Sequence, residues 1–306
     1  MPSRTGRLRA RHAGHPVIFF LALVGVLGVS ASGPLVAATP SVPPLAMAFW
    51  RNGLGAVTMG TGALVRSRGI RRWPSRSEWR YCIIASVALA LHFACFMVAV
   101  RLTSVAAATA LVCLQSAWIA GYQRLRGSTI GAQVMAGMGL SLCGALLITG
   151  FDVGRSPEAL LGDLLALAGG AMAGAYTLAG SRARATMDTG SYTTLCYALT
   201  ALFLLVMTWF AGQPLVGFPA IGWAGIFTLT VVSQLLGHSI FNHLVAALGP
   251  LVVSMIILLE IPGAAILAGI FLGQTPPVWT YVGLVLILGG LMAVVRGQSG
   301  PVVRGS

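Results

Sequence analysis

Charge is scarce in this chain, and lysine is missing altogether. Only 8% of the 306 residues are charged, six of them acidic, and all 19 Lys+Arg positions are arginine. Hydrophobic residues make up 57%, and the mean hydropathy is +0.88. So little charge over so apolar a chain excludes a soluble globular domain. No GxxxxGK[ST] occurs, and no connection is long enough for a nucleotide-binding domain, so nothing points to a nucleotide-driven pump. The five cysteines (Cys82, Cys95, Cys113, Cys143, Cys196) lie within apolar runs and show no CxxC spacing. They read as small packing residues, with no disulfide framework or metal site implied. No His-Glu-x-x-His or similar ligand spacing exists, so neither zinc nor another cofactor is expected.

What the chain has instead is apolar runs. At roughly 20 residues per crossing, ten spans fit at about 17–38, 44–65, 79–100, 103–122, 130–150, 160–180, 191–211, 224–247, 250–272 and 277–295. The expected class is an all-α membrane protein whose first partner is the lipid bilayer. The net charge of +13 would suggest nucleic acid in a soluble protein, but here topology explains it without one. Arg4, Arg7, Arg9 and Arg11 precede the first span, and Arg66, Arg68, Arg71, Arg72, Arg76 and Arg80 follow the second. Pairs follow the fourth (Arg124, Arg126), the sixth (Arg182, Arg184) and the tenth (Arg296, Arg304). All of these fall on one side, while the other side has Arg101 and Arg155 and the acids Asp152, Glu158 and Asp163. The positive-inside rule then puts both termini in the cytoplasm of a cell with this protein in its inner membrane. The opening stretch, with its basic head and small residues near Ala38, could also pass for a signal peptide. Cleavage there would leave nine spans.

Sliding the chain on itself by 146 residues lays "LHFACFMVAVRLTS" over "GHSIFNHLVAALGP" and superposes His92 on His238. The same shift matches Ser116 with Pro262, Gly137 with Gly283 and Gly144 with Gly290. Spans one to five therefore pair with six to ten. Each half holds an odd number of spans, so the second copy is expected to be inverted in the bilayer, the architecture of secondary transporters. The implied division is an Arg-rich N-terminus (1–16), a first repeat (17–150), an extracytoplasmic linker (151–159), a second repeat (160–296) and a cytoplasmic tail (297–306).

Four segments carry a resemblance: "PPLAMAFWRN" opening the second span, "AVRLTSVAAATAL" joining the third to the fourth, "GDLLALAGGAMAGAYTLA" in the sixth, and "LGPLVVSMIILLEIPGAAILAGIFLGQ" through the ninth. In order and spacing they resemble the drug/metabolite transporter superfamily, specifically its ten-span EamA-type members. The resemblance implies two inverted five-helix repeats around a central cavity, carrying small organic metabolites, often amino acids. The sequence departs from the family pattern at three points. Ile261 separates Glu260 from Pro262, Ser116 stands where the family usually has proline, and Gln274 replaces an acid at the end of the ninth span.

Glu260 lies about ten residues into the ninth span, near mid-bilayer. An acid there costs roughly 3 kcal/mol on insertion scales, so it needs a proton or a partner. It could carry protons, face a substrate amine, or serve as protonated glue between helices. Pro262 cannot donate to the Leu258 carbonyl, which predicts a free acceptor and a bend. In the eighth span Thr230, Gln234, His238 and Asn242 recur every four residues, on one helix face. That stripe lines a cavity or makes interhelical hydrogen bonds, with Gln234 and His238 the stronger candidates for a cavity. His92, the repeat mate of His238, could face the same space or simply pack. Arg51 either snorkels outward beside Trp50 or points inward, where its fork can bind a carboxylate. Gln115 and Ser116 could line the cavity or bond between helices. Gly170-x-x-x-Gly174 and the similar small-residue intervals read as close-packing positions.

Together these point to a secondary transporter, not an enzyme, that exports a small polar metabolite such as an amino acid by alternating access. Glu260, His238 and Arg51 would hold a zwitterion. One alternative is an exporter of lipophilic cations, with Trp118 and Tyr176 stacking on the cargo. Another is an intramembrane enzyme using His92, His238 and Glu260, for which a nucleophile is lacking. Monomer and homodimer are equally compatible with the sequence.

Overall fold

The computed structural model describes residues 4–67, 73–149, 156–274 and 278–298. Arg68, Arg71, Arg72, Asp152, Arg155 and Arg304 lie outside the described residues, as do most of the linker and the tail. The side chains of Arg4, Arg7, Arg9, Arg11 and Arg66 do too. Among the described residues the chain is all helix, without a strand. The helices are α1 (Arg4–Ser30), α2 (Ser32–Ala38), α3 (Pro44–Ser67), α4 (Arg76–Leu102), α5 (Val105–Cys113), α6 (Gln115–Leu125) and α7 (Ala132–Thr149). The second half holds α8 (Pro157–Ala183), α9 (Thr189–Phe210), α10 (Ala220–Leu229), α11 (Ser239–Leu248), α12 (Pro250–Ile257), α13 (Glu260–Leu272) and α14 (Val278–Gln298).

Seven helical stretches among the described residues are long and apolar enough to cross a membrane: Pro16–Ala38, Arg76–Leu102, Val105–Leu125, Pro157–Ala183, Thr189–Phe210, Ala220–Leu248 and Pro250–Leu272. α3 is of similar length but less apolar, because Arg51 and Asn52 sit within it. Shorter apolar helices run over Ala132–Gly144 and Tyr281–Val294. Large apolar side chains cover the outside, with Phe19, Trp209 and Phe271 each more than 70% exposed. Such a surface is stable only against lipid, and the protein is a multi-pass membrane protein.

Local sequence explains where the helices start and stop. Ser75 and Glu78 form a reciprocal capping box at α4, and Ser104, Ser156 and Asp188 cap α5, α8 and α9. Gly249 and Gly273, both at positive φ, follow α11 and α13. Three apolar stretches are broken in mid-course, at Ala31, at Leu114 and at Leu258–Leu259. The last of these departs from expectation. The Leu258 carbonyl is not left free, since it accepts the Ile261 N–H at 3.2 Å through a tightened turn. Pro262 falls in the first turn of α13, where its missing N–H leaves little unsatisfied.

The eighth stretch also differs from a plain α-helix. Residues Thr230–His238 form a wider π-helical segment between α10 and α11. It lies where α1 crosses closest: a Cβ on Gly28 would come 2.7 Å from the Val232 carbonyl oxygen, and one on Gly237 3.0 Å from the Val29 nitrogen. The stripe of Thr230, Gln234 and Asn242 is nevertheless buried.

Elements of the first half pack antiparallel on elements of the second. In α8, Gly162 lies against Leu102 and Gly169 against Cys95 of α4, and in α3 Gly60 lies against Thr194 of α9. α7 and α14 meet most closely. A Cβ on Gly137 would sit 2.6 Å from the Gly290 carbonyl oxygen, and one on Gly144 would sit 2.6 Å from that of Gly283. Between them Ser141 donates to the Ile287 carbonyl at 3.3 Å. Gly170 and Gly174 similarly bring α8 onto the backbone at Val112 and Gln115. Backbone pressed on backbone cannot yield a methyl's width without moving a helix. Gly137→Ala is therefore expected to lower stability by about 1–3 kcal/mol, whereas Gly139→Ala, which meets nothing within 4 Å, should be neutral. The thermal unfolding midpoints of both variants in detergent check this.

Candidate functional site

The interior polar side chains converge where the breaks in the helices and the π segment meet. Ser32 opens α2 just past the first break, Gln115 opens α6 and Glu260 opens α13. His92 and Phe93 come from the middle of α4, Tyr176 and Thr177 from α8, His238 from the π segment and Asn242 from α11. Together they surround a cavity of about 40 Å³ between the two halves. At ~10–15 Å³ for each water, it has room for about three. No organic solute fits that volume.

Arg51 anchors the wall beside this cavity. It is fully buried, so it does not snorkel. Its Nε donates to Gln234 Oε1 at 2.9 Å and its Nη1 to Ser32 Oγ at 3.2 Å. The guanidinium carbon lies 4.2 Å from the centre of the Phe93 ring, a cation–π contact. Gln234 in turn donates to Asn52 Oδ1 at 3.1 Å, and Asn52 donates back to the Ala48 carbonyl at 2.8 Å. One donor, Nη2, is left buried without a partner. Trp50 does not flank Arg51 as a snorkelling belt residue, because its indole N–H is held by the Leu215 carbonyl at 2.6 Å.

Three groups on the cavity wall have no hydrogen bond to protein among the described residues: the Gln115 amide, the His238 ring and the Glu260 carboxyl. Gln115 and Glu260 are nearly buried, at 4% and 8% exposure. Buried polar groups are almost always bonded, so water or a solute has to serve these. Arg51 and Glu260 form no ion pair with each other among the described residues. His92 is partly engaged, with Nδ1 3.0 Å from the Gly169 carbonyl. Its ring centre lies 6.3 Å from that of His238, so the two repeat mates do share one space.

The other candidates lie outside the cavity wall. Gln234 is behind it, fully committed to Arg51 and Asn52. Ser116 faces a different hollow of about 270 Å³ alongside Arg124 and Met135, with its hydroxyl directed to the Cys113 carbonyl at 3.4 Å. Thr230 returns its hydroxyl to the Ile226 carbonyl at 2.8 Å. Trp118 is half exposed and does not belong to the cavity wall that Tyr176 lines. Sequence reasoning missed Ser32, Asn52 and Tyr197. Ser32 stood next to "GP", a helix-break signal, and Asn52 directly followed Arg51, whereas nothing local marked Tyr197.

Comparison with protein families matches the model of the EamA-like transporter family to residues 17–150 and 160–296. Among solved structures, one described only as the crystal structure of a protein is 18% identical, with a TM-score of 0.75 over 93% of this chain and 99% of that one. At that identity the likeness concerns the fold. Comparison with curated proteins gave no match.

The geometry makes Gln234 the support of a buried charge. Gln234→Ala removes one charged hydrogen bond, ordinarily worth about 1.5–3 kcal/mol, and strands Asn52 as well. It is expected to lower stability by at least that amount, whereas Thr58→Ala, on the exposed face of α3, should change it by less than about 0.5 kcal/mol. Unfolding midpoints in detergent decide between a supporting and an incidental glutamine.

Proposed function

The chain belongs to the EamA-like transporter family, and from that premise we propose that it is a secondary carrier that exports a small zwitterionic metabolite, of the amino acid class, across the inner membrane. The observation that carries the proposal is the cavity between the halves, where Gln115, His238 and Glu260 present polar groups that no protein partner satisfies. Lipid offers such groups nothing, and a dry helix contact would have paired them.

The proposed architecture is ten spans in two inverted repeats, 17–150 and 160–296. The glycine contacts support it. Under the 146-residue shift Gly137 matches Gly283 and Gly144 matches Gly290, yet each glycine touches its partner's mate, 137 against 290 and 144 against 283. Ser141 meets Ile287, its own repeat mate, between them. Crossed contacts about a self-paired centre are what a two-fold axis produces. An axis relating antiparallel helices in this way inverts one repeat relative to the other.

In this reading the substrate's carboxylate is drawn towards the charge of Arg51, directly or through Ser32, whose hydroxyl both holds Arg51 and lines the cavity. The amine faces Glu260, which releases a proton as it takes up the cation. His238, His92 and Gln115 complete the wall. Because 40 Å³ admits only water, loading requires the halves to part at one end, and release requires them to part at the other. The arginines on the surface support cytoplasmic termini: Arg76, Arg80, Arg124, Arg126, Arg182 and Arg296 are all exposed.

Reconstituted protein is expected to catalyse counterflow of at least one labelled amino acid. Its rate should depend on pH in the parent and lose that dependence in Glu260→Gln, while exchange itself continues. A Glu260→Gln protein with the parent's pH profile would remove Glu260 from coupling. Absence of counterflow across amino acids, weak organic acids and organic cations would refute the carrier itself.

A further inference from the structure

A second, larger hollow lies close to the cavity. It is a crevice of about 1040 Å³ between α1, the π segment and α11 on one side and α3 and α9 on the other. Its walls mix apolar residues with Thr58, Thr61, Asp188, Ser191 and His243, and it reaches inward to Ser239. Asp188, exposed at the start of α9, lines one end of it, and α8 ends on the same side with the exposed Arg182. From Val65 to Thr58 the crevice follows α3 for seven residues, or about 10 Å of helix.

The π segment and α11 lie between the two hollows, turning His238 and Asn242 to the cavity and Leu235, Ser239 and His243 to the crevice, and one chain of hydrogen bonds runs from wall to wall. On the cavity side Tyr176 donates to Asn242 Oδ1 at 2.7 Å, and both residues line the cavity. Asn242 Nδ2 donates to the Tyr197 hydroxyl at 3.1 Å. That hydroxyl lies 3.1 Å from Ser239 Oγ, which belongs to the crevice wall. Ser239 also donates to the Gln234 carbonyl at 3.0 Å, a bond spanning five residues at the end of the π segment. Arg184 clasps the outer side of the same position, donating to the Asn242 carbonyl at 3.1 Å and to the Met187 carbonyl. Tyr197 lines neither hollow. It stands between them, fully buried.

We infer that the crevice is the route by which solute reaches the cavity from the Arg182 face, and that the Tyr176–Asn242–Tyr197–Ser239 chain is the gate closing it. The bonds join three separate elements (α8, α9 and α11), so each must break for these elements to part, and neutral hydroxyl and amide groups can do so without exposing a charge. Water can replace every bond once the path floods, which keeps the open state accessible. The inference rests on the carrier reading for its purpose but on the two hollows for its geometry.

The test uses full-length protein in membrane vesicles and the impermeant thiol reagent 2-sulfonatoethyl methanethiosulfonate. Thr61→Cys reports on the crevice and Thr177→Cys on the cavity, with the rate of the parent's native cysteines subtracted. Thr61→Cys is expected to react readily from one side, and Thr177→Cys slowly. Adding Tyr197→Phe should speed Thr177→Cys about five- to ten-fold from the side that labels Thr61→Cys, the population shift that follows loss of one hydrogen bond from a closed state. Ser239→Ala should act in the same direction and carries the test if the tyrosine variant does not fold. A Thr177→Cys rate unchanged in both backgrounds, or raised only from the opposite side, overturns the gate. Counterflow is scored separately. Faster labelling without any counterflow keeps the gate and removes the carrier, whereas counterflow with unchanged labelling removes the gate alone.

Discussion

A guanidinium with no access to water governs the middle of this protein. Arg51 cannot shed its charge cheaply and cannot reach an interface, so the fold must supply its partners. They come from three places: Gln234 on the π segment, Ser32 at the break between α1 and α2, and the face of Phe93 on α4. Each belongs to a different element, and two lie where regular α-helix fails. The irregularities and the charge therefore explain one another. The break places the Ser32 hydroxyl within reach of the guanidinium. The π segment carries Gln234 to Arg51 while Gly28 and Gly237 let α1 pass against its backbone.

Supporting one charge leaves others unsupported. Gln234 and Asn52 are consumed in holding Arg51, which is why the cavity wall consists of what remains, Gln115, His238 and Glu260. A protein selected for stability alone would have paired Glu260 or replaced it by an apolar residue. An unpaired acid on the cavity wall, near an arginine it does not touch, is instead an arrangement that the proposed solute would stabilise.

The periodic features of the fold were legible in the sequence. Apolar runs located the helices, the 146-residue shift found the glycines that later proved to touch across the halves, and the resemblance identified the family. The eighth-span stripe was also readable, because four polar residues at a fixed interval have little reason to face lipid. What escaped was set by contacts distant in sequence. Asn52 and Gln234 are 182 residues apart, and Tyr197 and Asn242 are 45 apart, so no local pattern could join them. The π segment escaped for a related reason, since the close passage of α1 at Gly28, far away in sequence, meets it at Gly237. Pro262 misled because a proline inside an apolar run suggests a kink at its own position, whereas the helix had already been broken upstream of it, at Leu258–Leu259.

The two-fold relation proposed above is stronger in the backbone than in the chemistry, and the difference bears on the proposed mechanism. The breaks at Leu114 and at Leu258–Leu259 fall at matching positions of the two halves, and both new helices begin at the cavity. His92 and His238 both line it, with ring centres 6.3 Å apart. The repeat mate of Glu260, however, is Leu114, and that of Pro262 is Ser116, which faces a different hollow. In the proposed carrier a symmetric backbone would let the motion that opens one end serve, reversed, to open the other. Asymmetric side chains would then make the two open forms differ in which polar groups meet water first. In the proposed gate at the Arg182 end those groups are Ser239, Tyr197, Asn242 and Tyr176, which are neutral and joined in one chain of bonds, with Arg184 holding the Asn242 carbonyl beside them. Opening there breaks hydrogen bonds that water can replace, whereas separating Arg51 from Gln234 and Ser32 would strand a charge. The neutral chain is therefore the weaker seam, and the elements around Arg51 are the ones expected to move as a single body.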